Sequence, residues 1–217
     1  MSGLNKDSSC VLCDSNLLIE KKYSKLSYFH CKSCDLIFLN PEQRLDHQQE
    51  KQRYLKHENN VLDLGYQKFA AGLHKIILEN VTVASVGLDY GSGKDSAISY
   101  MLSQSGYAIR KFDPYFLNDS EALGENFYDY IVVCEVAEHF YKPKAEFFKL
   151  KSYLKNNGSL FVMTSLVTDQ INFETWSYRR DSTHVCFYSK NTCDFIKDFF
   201  GFKHMRIEQN QLIVFFN

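Results

Sequence analysis

Apolar and polar residues change rhythm several times along the chain. Two short β-prone runs, Leu17-Leu18-Ile19 and Lys25-Leu26-Ser27-Tyr28-Phe29-His30, lie between cysteines and predict the strands of a small ribbon, closed by Asn40-Pro41. Residues 42–57 are polar and charged, which predicts an exposed helical connector. Over residues 66–78 the apolar side chains Phe69, Leu73, Ile76 and Ile77 recur at helical spacing. Residues 81–90 are β-rich and run into glycines. Strands and helices then alternate, with a helix over 94–105, a strand over 107–112 and a continuous apolar strand over 130–134. A helix over 144–154, a turn at Asn156-Asn157-Gly158, a second apolar strand over 159–164 and a helix over 191–200 follow, the last stopped by Gly201. Apolar runs without alternation suit strands covered on both faces. The tail, 202–208 and 212–216 around Gln209-Asn210-Gln211, predicts a β-hairpin. The alternation as a whole predicts an α/β fold with an open, mostly parallel sheet.

Composition narrows the partners. The 217 residues carry 25 Lys+Arg against 26 Asp+Glu, a net charge of −1, and residues 1–80 carry 11 basic against 10 acidic side chains. Phosphate binding normally leaves a basic footprint, so nucleic acid is disfavoured. No apolar run approaches the roughly 20 residues of a membrane helix, and the first residues lack the apolar stretch of a signal peptide. A cytoplasmic protein with no membrane partner is expected.

Four of the seven cysteines are grouped as Cys10-x2-Cys13 and Cys31-x2-Cys34. Paired knuckles at this separation predict a tetrahedral four-thiolate zinc site, in which each knuckle turns two sulfurs toward one ion about 2.3 Å away. An arm of this size buries too little surface to fold alone, so the metal is expected to supply folding free energy. With every position filled by protein, such a zinc is structural. Disulfide pairing would need a secretion signal. Cys134, Cys186 and Cys193 sit among apolar residues and read as core side chains.

Asp89-Tyr90-Gly91-Ser92-Gly93 falls where the first strand of the alternating region meets its helix. Glycines there let the backbone approach a ligand closely, with a helix N-terminus behind it. Asp113 follows Gly91 by 22 residues, at the end of the next predicted strand, where a carboxylate accepts hydrogen bonds from ribose hydroxyls. A nucleoside ligand at the carboxyl ends of the strands follows. The missing third glycine favours one without a pyrophosphate.

These residues resemble the class I S-adenosylmethionine-dependent methyltransferases. Asp89, Gly91 and Gly93 match that family's first motif and Asp113 its ribose-binding acid. Tyr128-Asp129-Tyr130-Ile131-Val132-Val133-Cys134-Glu135-Val136-Ala137-Glu138-His139 matches its fourth-strand motif, and Asn157-Gly158-Ser159-Leu160-Phe161-Val162 the turn and strand that follow. The chain looks closest to bacterial members in which a four-cysteine zinc ribbon precedes the catalytic domain. There Arg53-Tyr54-x-x-His57-x-Asn59, Asp113-Pro114-Tyr115-Phe116 and Trp176-x-Tyr178-Arg179-Arg180-Asp181-x-Thr183-His184-Val185 recur. The resemblance implies a Rossmann-like sheet with a C-terminal antiparallel hairpin, and S-adenosylmethionine as cofactor. It implies a zinc-ribbon arm over 1–42, a connector or lid over 43–80 and a methyltransferase domain over 81–217.

Only fourteen residues separate Asp113 from Tyr128, so a third strand is shortened or missing and the adenine contacts have no clear counterpart, with Phe116 or Leu117 as candidates. Cofactor-binding candidates are Asp89, Gly91, Gly93, Asp113, Glu135, Tyr54 and His57. Catalytic candidates are Glu138 and His139 after the fourth strand, and Asp181 and His184 in the loop after the fifth. His139 reads equally as a helix cap or a partner for a buried carbonyl. Arg179 and Arg180 could hold a carboxylate or phosphate on an acceptor, and a salt-bridge cluster would look the same. The expected acceptor is an unidentified small molecule or protein. An RNA methyltransferase, or a non-enzymatic interaction module on a degenerate methyltransferase fold, are the alternatives.

Overall fold

The structure, a computed structural model, describes residues 9–56 and 60–217. His57, a candidate cofactor ligand, lies outside them. Strands β1 (Leu18–Tyr23), β2 (Leu26–Cys31) and β3 (Ile37–Leu39) form the ribbon, followed by helices α1 (His47–Tyr54) and α2 (Leu64–Asn80). The alternating region contains β4 (Val86–Tyr90), α3 (Ala97–Gln104), β5 (Ala108–Phe112), β6 (Tyr128–Cys134), α4 (Pro143–Tyr153) and β7 (Leu154–Met163). It ends in β8 (Cys186–Phe187), α5 (Lys190–Phe199), β9 (His204–Glu208) and β10 (Leu212–Phe216). Local sequence sets the helix starts. Asp46 and Gln49 form a reciprocal capping box on α1, Ser189 and Thr192 another on α5, and the Asp63 and Ser96 side chains cap α2 and α3.

The main sheet has the order β5-β4-β6-β7-β10-β9. β4, β5, β6 and β7 run parallel, and β10 pairs antiparallel with both β7 and β9. Among the described residues no strand lies between β5 and β6, and the chain there makes only an Asp113–Leu117 bridge and a short 3-10 turn. Alternate side chains of β6 serve opposite faces. Tyr130 and Val132 pack under α2 and α3 with Leu73, Ile77 and Leu102, while Ile131 and Val133 pack with Phe147, Leu150 and Ile196. Each such buried Leu, Ile or Phe contributes about 1.5–3 kcal/mol of transfer free energy. The helical spacing over 66–78 therefore belongs to a helix layered on the sheet. α1 alone is the polar connector.

Two expectations change. The strand expected from residue 81 begins at Val86, because Val83 stays 61% exposed outside the sheet. The expected turn at 156–158 is an outward bulge within β7. Tyr128 pairs with Leu154 and Tyr130 with Ser159, so residues 155–158 stand opposite Asp129. Asp129 closes the bulge by accepting from Lys155 Nζ at 2.9 Å and from the Val86 amide at 2.8 Å. Gly158 fits there because a Cβ would stand 3.0 Å from the Tyr128 carbonyl oxygen.

The ribbon is welded to the rest of the chain. β3 pairs with β8, giving a second sheet β1-β2-β3-β8, and Leu12, Leu36 and Phe38 share one core with Phe173, Phe187 and the β6 side chains. Arg179 is a clamp between the parts. Its guanidinium donates to the carbonyls of Phe173 and Glu174 and to the Tyr28 hydroxyl, and lies over the Tyr23 and Tyr28 rings. Arg180 donates to the Thr175 carbonyl. Neither arginine lines the central cavity, so the carboxylate- or phosphate-holding role gives way to a structural one.

Candidate functional site

A cavity of about 970 Å³ opens at the carboxyl ends of β4, β5 and β6. Its floor is the glycine turn. Gly91 has φ +84° and Gly93 φ +62°, both left-handed, and a Cβ at Gly91 would meet both Val136 methyls at 2.6 Å. Asp113 is buried and organises this floor. Its Oδ2 accepts from the Gly93 amide at 2.9 Å, and its Oδ1 from the Tyr115 and Phe116 amides at 2.8 and 3.0 Å. Oδ2, with one of these partners, keeps acceptor capacity. Asp89 acts from behind: its Oδ2 accepts from the Ser96 and Ser99 hydroxyls at 2.5 and 2.6 Å, fixing the start of α3. Burial pushes the Asp89 carboxyl up. Phe116 lines the cavity and Leu117 does not.

The opposite end gathers the candidates from 135 to 139 and from 178 to 184. Glu135 has φ +53°, a left-handed backbone at a non-glycine residue that costs on the order of 1–3 kcal/mol. This bend turns the chain sharply after β6. Glu138 is fully buried; Tyr178 donates to its Oε1 at 2.5 Å and Thr164 to its Oε2 at 3.0 Å. Burial pushes both Glu135 and Glu138 up, and the charge of Glu138 adds to the effect on Glu135. His139 Nδ1 lies 2.9 Å from the Thr183 carbonyl oxygen and His184 Nδ1 2.7 Å from that of Tyr178. A carbonyl only accepts, so each Nδ1 carries a proton, and a ring in its neutral form has its lone pair on Nε2. Burial and the neighbouring His139 push His184 down to about 4, which keeps it neutral near pH 7. Asp181 behaves oppositely. Burial alone would raise its carboxyl, but Thr183, His184 and Arg53 together lower it to about 2. The carboxylate is therefore held ionised near pH 7, and its bonds to Arg53 and Thr183 anchor the loop.

α1 covers this end. Arg53 donates to Asp181 at 2.6 Å, and the Tyr54 ring stands edge-on to His139 at 5.4 Å. Glu50, only 6% exposed, accepts from the hydroxyls of Tyr54, at 2.8 Å, and Tyr115. Thus α1 joins the Asp113–Phe116 turn to the His184 loop. Glu50 and Tyr115 were not candidates from sequence. A glutamate within a polar helix gives no sign of burial, and Tyr115 was visible only as part of a recurring motif.

The floor thus combines Asp89, Gly91, Gly93 and Asp113. Glu135, His139, Asp181, His184 and Tyr54 line the other walls, and Glu138 lies behind them. The four arm cysteines meet separately, all Sγ atoms within 4.8 Å of one another and the Cys10–Cys34 and Cys13–Cys31 pairs at 3.5 Å. Four sulfurs 2.3 Å from a tetrahedral ion would stand roughly 3.8 Å apart, so the cluster fits zinc.

A methyltransferase-domain family profile matches residues 48–203, and the chain belongs to that family. A search of curated proteins gives no match. Among solved structures, the magnesium protoporphyrin IX methyltransferase of Synechocystis PCC 6803, solved with bound SAH, superposes with TM-score 0.52 at 14% identity, over 78% of this chain and 94% of that one. The 1,6-didemethyltoxoflavin-N1-methyltransferase of Burkholderia thailandensis, solved with 1,6-didemethyltoxoflavin and S-adenosylhomocysteine, gives 0.52 at 12% identity over 91% and 97%. An O-methyltransferase family protein from the same organism gives 0.54 at 10% identity over 77% and 62%. At these identities the likeness is one of fold. Among the described residues no helix is long and apolar enough to cross a membrane.

Proposed function

We propose that the chain transfers a methyl group from S-adenosylmethionine to a small-molecule acceptor, and that the arm holds a structural zinc ion. The observation that carries this reading is the Asp113 carboxylate, buried at the end of β5 and bonded to the Gly93 amide on the floor of the cavity. The glycine turn and Asp113 would hold the nucleoside, with Phe116 beside the base. The cofactor supplies a methyl group already activated on a sulfonium, so the protein's task is largely to hold acceptor and donor in line. His139 and His184 present imidazole lone pairs at the end where the acceptor would sit. A small acceptor is favoured because α1 and the Asp181 loop, joined through Arg53, both wall the cavity. The charge balance of −1 supports the same preference over nucleic acid. The zinc reading rests on four thiols at tetrahedral spacing, and the arm then serves to brace the loop that carries Asp181 and His184.

The test is transfer of radiolabelled methyl from S-adenosylmethionine to a fractionated pool of small metabolites by the zinc-loaded chain. Label appearing in a small-molecule fraction, and absent with Asp113→Ala, is the expected result. Label confined to added RNA or protein would overturn the choice of acceptor.

A further inference from the structure

Three side chains at the acceptor end point their donor atoms at one another. Glu138, His139 and His184 each offer an atom, and the three lie within 4.8 Å of one another. We propose that they hold a first-row transition dication in the cavity wall, where it fixes an oxygen or nitrogen of the acceptor. The acceptor's part rests on the methyl-transfer reading; the cation site stands on its own geometry.

Both imidazoles are oriented as ligands. Each donates its Nδ1 proton to a backbone carbonyl, Thr183 for His139 and Tyr178 for His184, which leaves Nε2 as the donor atom. Metal-binding histidines are held in this way. The carboxylate of Glu138 is fixed by two hydroxyls, Tyr178 on Oε1 and Thr164 on Oε2. His184 Nε2 then stands 3.9 Å from Glu138 Oε1. Two lone-pair donors face each other there at a separation too long for a hydrogen bond. A cation between them removes the repulsion.

The dimensions are those of a site that tightens on its ion. Donors 2.0–2.2 Å from a tetrahedral ion stand roughly 3.3–3.6 Å apart. The 3.9 Å pair has to close by about 0.5 Å, and a pair at 4.8 Å by about 1.4 Å. His139 and His184 line the cavity while Glu138 lies fully buried behind them, so all three donors stand on one side. The coordination positions left over face the cavity. Two imidazoles with one carboxylate and open positions suit Fe2+, Mn2+, Co2+ or Zn2+ better than Ca2+ or Mg2+.

The chain, loaded with one equivalent of zinc for the arm, is titrated with Mn2+ while free ion is followed by electron paramagnetic resonance. One Mn2+ per chain is expected, weakened at least ten-fold in both Glu138→Gln and His184→Ala. Glu138→Gln preserves side-chain size, and S-adenosylhomocysteine binding reports whether each variant is folded. In the unsubstituted chain, bound Mn2+ should also broaden the imidazole resonances of His139 and His184, a readout that needs no variant. Absence of Mn2+ binding in a chain that binds S-adenosylhomocysteine overturns the cation site and leaves the cofactor reading standing. Mn2+ binding that spares both imidazoles overturns it as well. Mn2+ held by the three residues in a chain that ignores S-adenosylhomocysteine would support the cation site and count against methyl transfer.

Discussion

Asp113 holds Gly93: the carboxylate Oδ2 at the end of β5 accepts the glycine amide at 2.9 Å, tying together the turns that follow the first two parallel strands. One side chain therefore builds the floor of the cavity and keeps acceptor capacity on Oδ2, which the proposed function assigns to a ribose. Hydrogen bonds to a charged group are worth about 1.5–3 kcal/mol each. Asp113→Ala is expected to weaken S-adenosylhomocysteine binding by on the order of 10–100-fold, with Asp113→Asn between it and the parent. Equal affinities by calorimetry would remove Asp113 from the cofactor site.

The two glycines of the turn should respond differently. Any residue other than glycine at Gly91 meets both a left-handed backbone, costing about 1–2 kcal/mol, and the Val136 methyls at 2.6 Å. Gly93 has the first penalty only, since nothing lies within 4 Å of a Cβ there. Gly91→Ala should lower the melting temperature more than Gly93→Ala. Adding Val136→Ala should recover part of the loss for Gly91→Ala and none for Gly93→Ala, read as coupling in a double-mutant cycle.

Arg53 and Asp181 join α1 to the His184 loop, 128 positions away. The pair is part exposed, 37% and 20%, so it should add no more than about 1 kcal/mol to stability. Its effect should be local. Arg53→Ala is expected to speed hydrogen exchange of the α1 amides by several-fold with a melting shift of under about 4 °C. The exchanged pair, Arg53→Asp with Asp181→Arg, should restore protection. Unchanged α1 exchange in Arg53→Ala would deny α1 its role as a tethered cover.

Zinc loss should be felt beyond the arm. β3 pairs with β8 through Ile37–Phe187 and Phe38–Cys186, three residues before Ser189 caps α5. Elemental analysis should find one zinc per chain in preparations without added cation. Cys31→Ser should lose that zinc and lower the melting temperature of the whole protein in one transition. A separate arm transition, with the main one unmoved, would contradict the shared core.

Much of this site was legible in sequence because its signals are periodic or spaced. The apolar run of β6, the glycines after β4, Asp113 after β5 and the paired cysteine knuckles each carry their meaning within a short stretch of chain. The shortened third-strand region was a matter of counting fourteen residues between Asp113 and Tyr128. What stayed hidden depends on partners distant in sequence. β8 has two residues, too few for any pattern, yet it completes the arm's sheet. Arg179 showed only a charge, and its carbonyl and ring partners come from three segments. Glu50 meets Tyr115 across 65 positions. The bulge at 155–158 looked like a turn because Asn-Asn-Gly suits both, and the pairing of Tyr128 and Tyr130 decided between them.

Calorimetric titration of the zinc-loaded chain with S-adenosylhomocysteine tests the central claim most directly. The account predicts one site with micromolar affinity, and a stabilisation of about 2.7 kcal/mol when ligand is present at one hundred times its dissociation constant. No heat and no thermal shift from a folded, zinc-replete protein would contradict it and leave the Gly91–Asp113 turn without a nucleoside to hold.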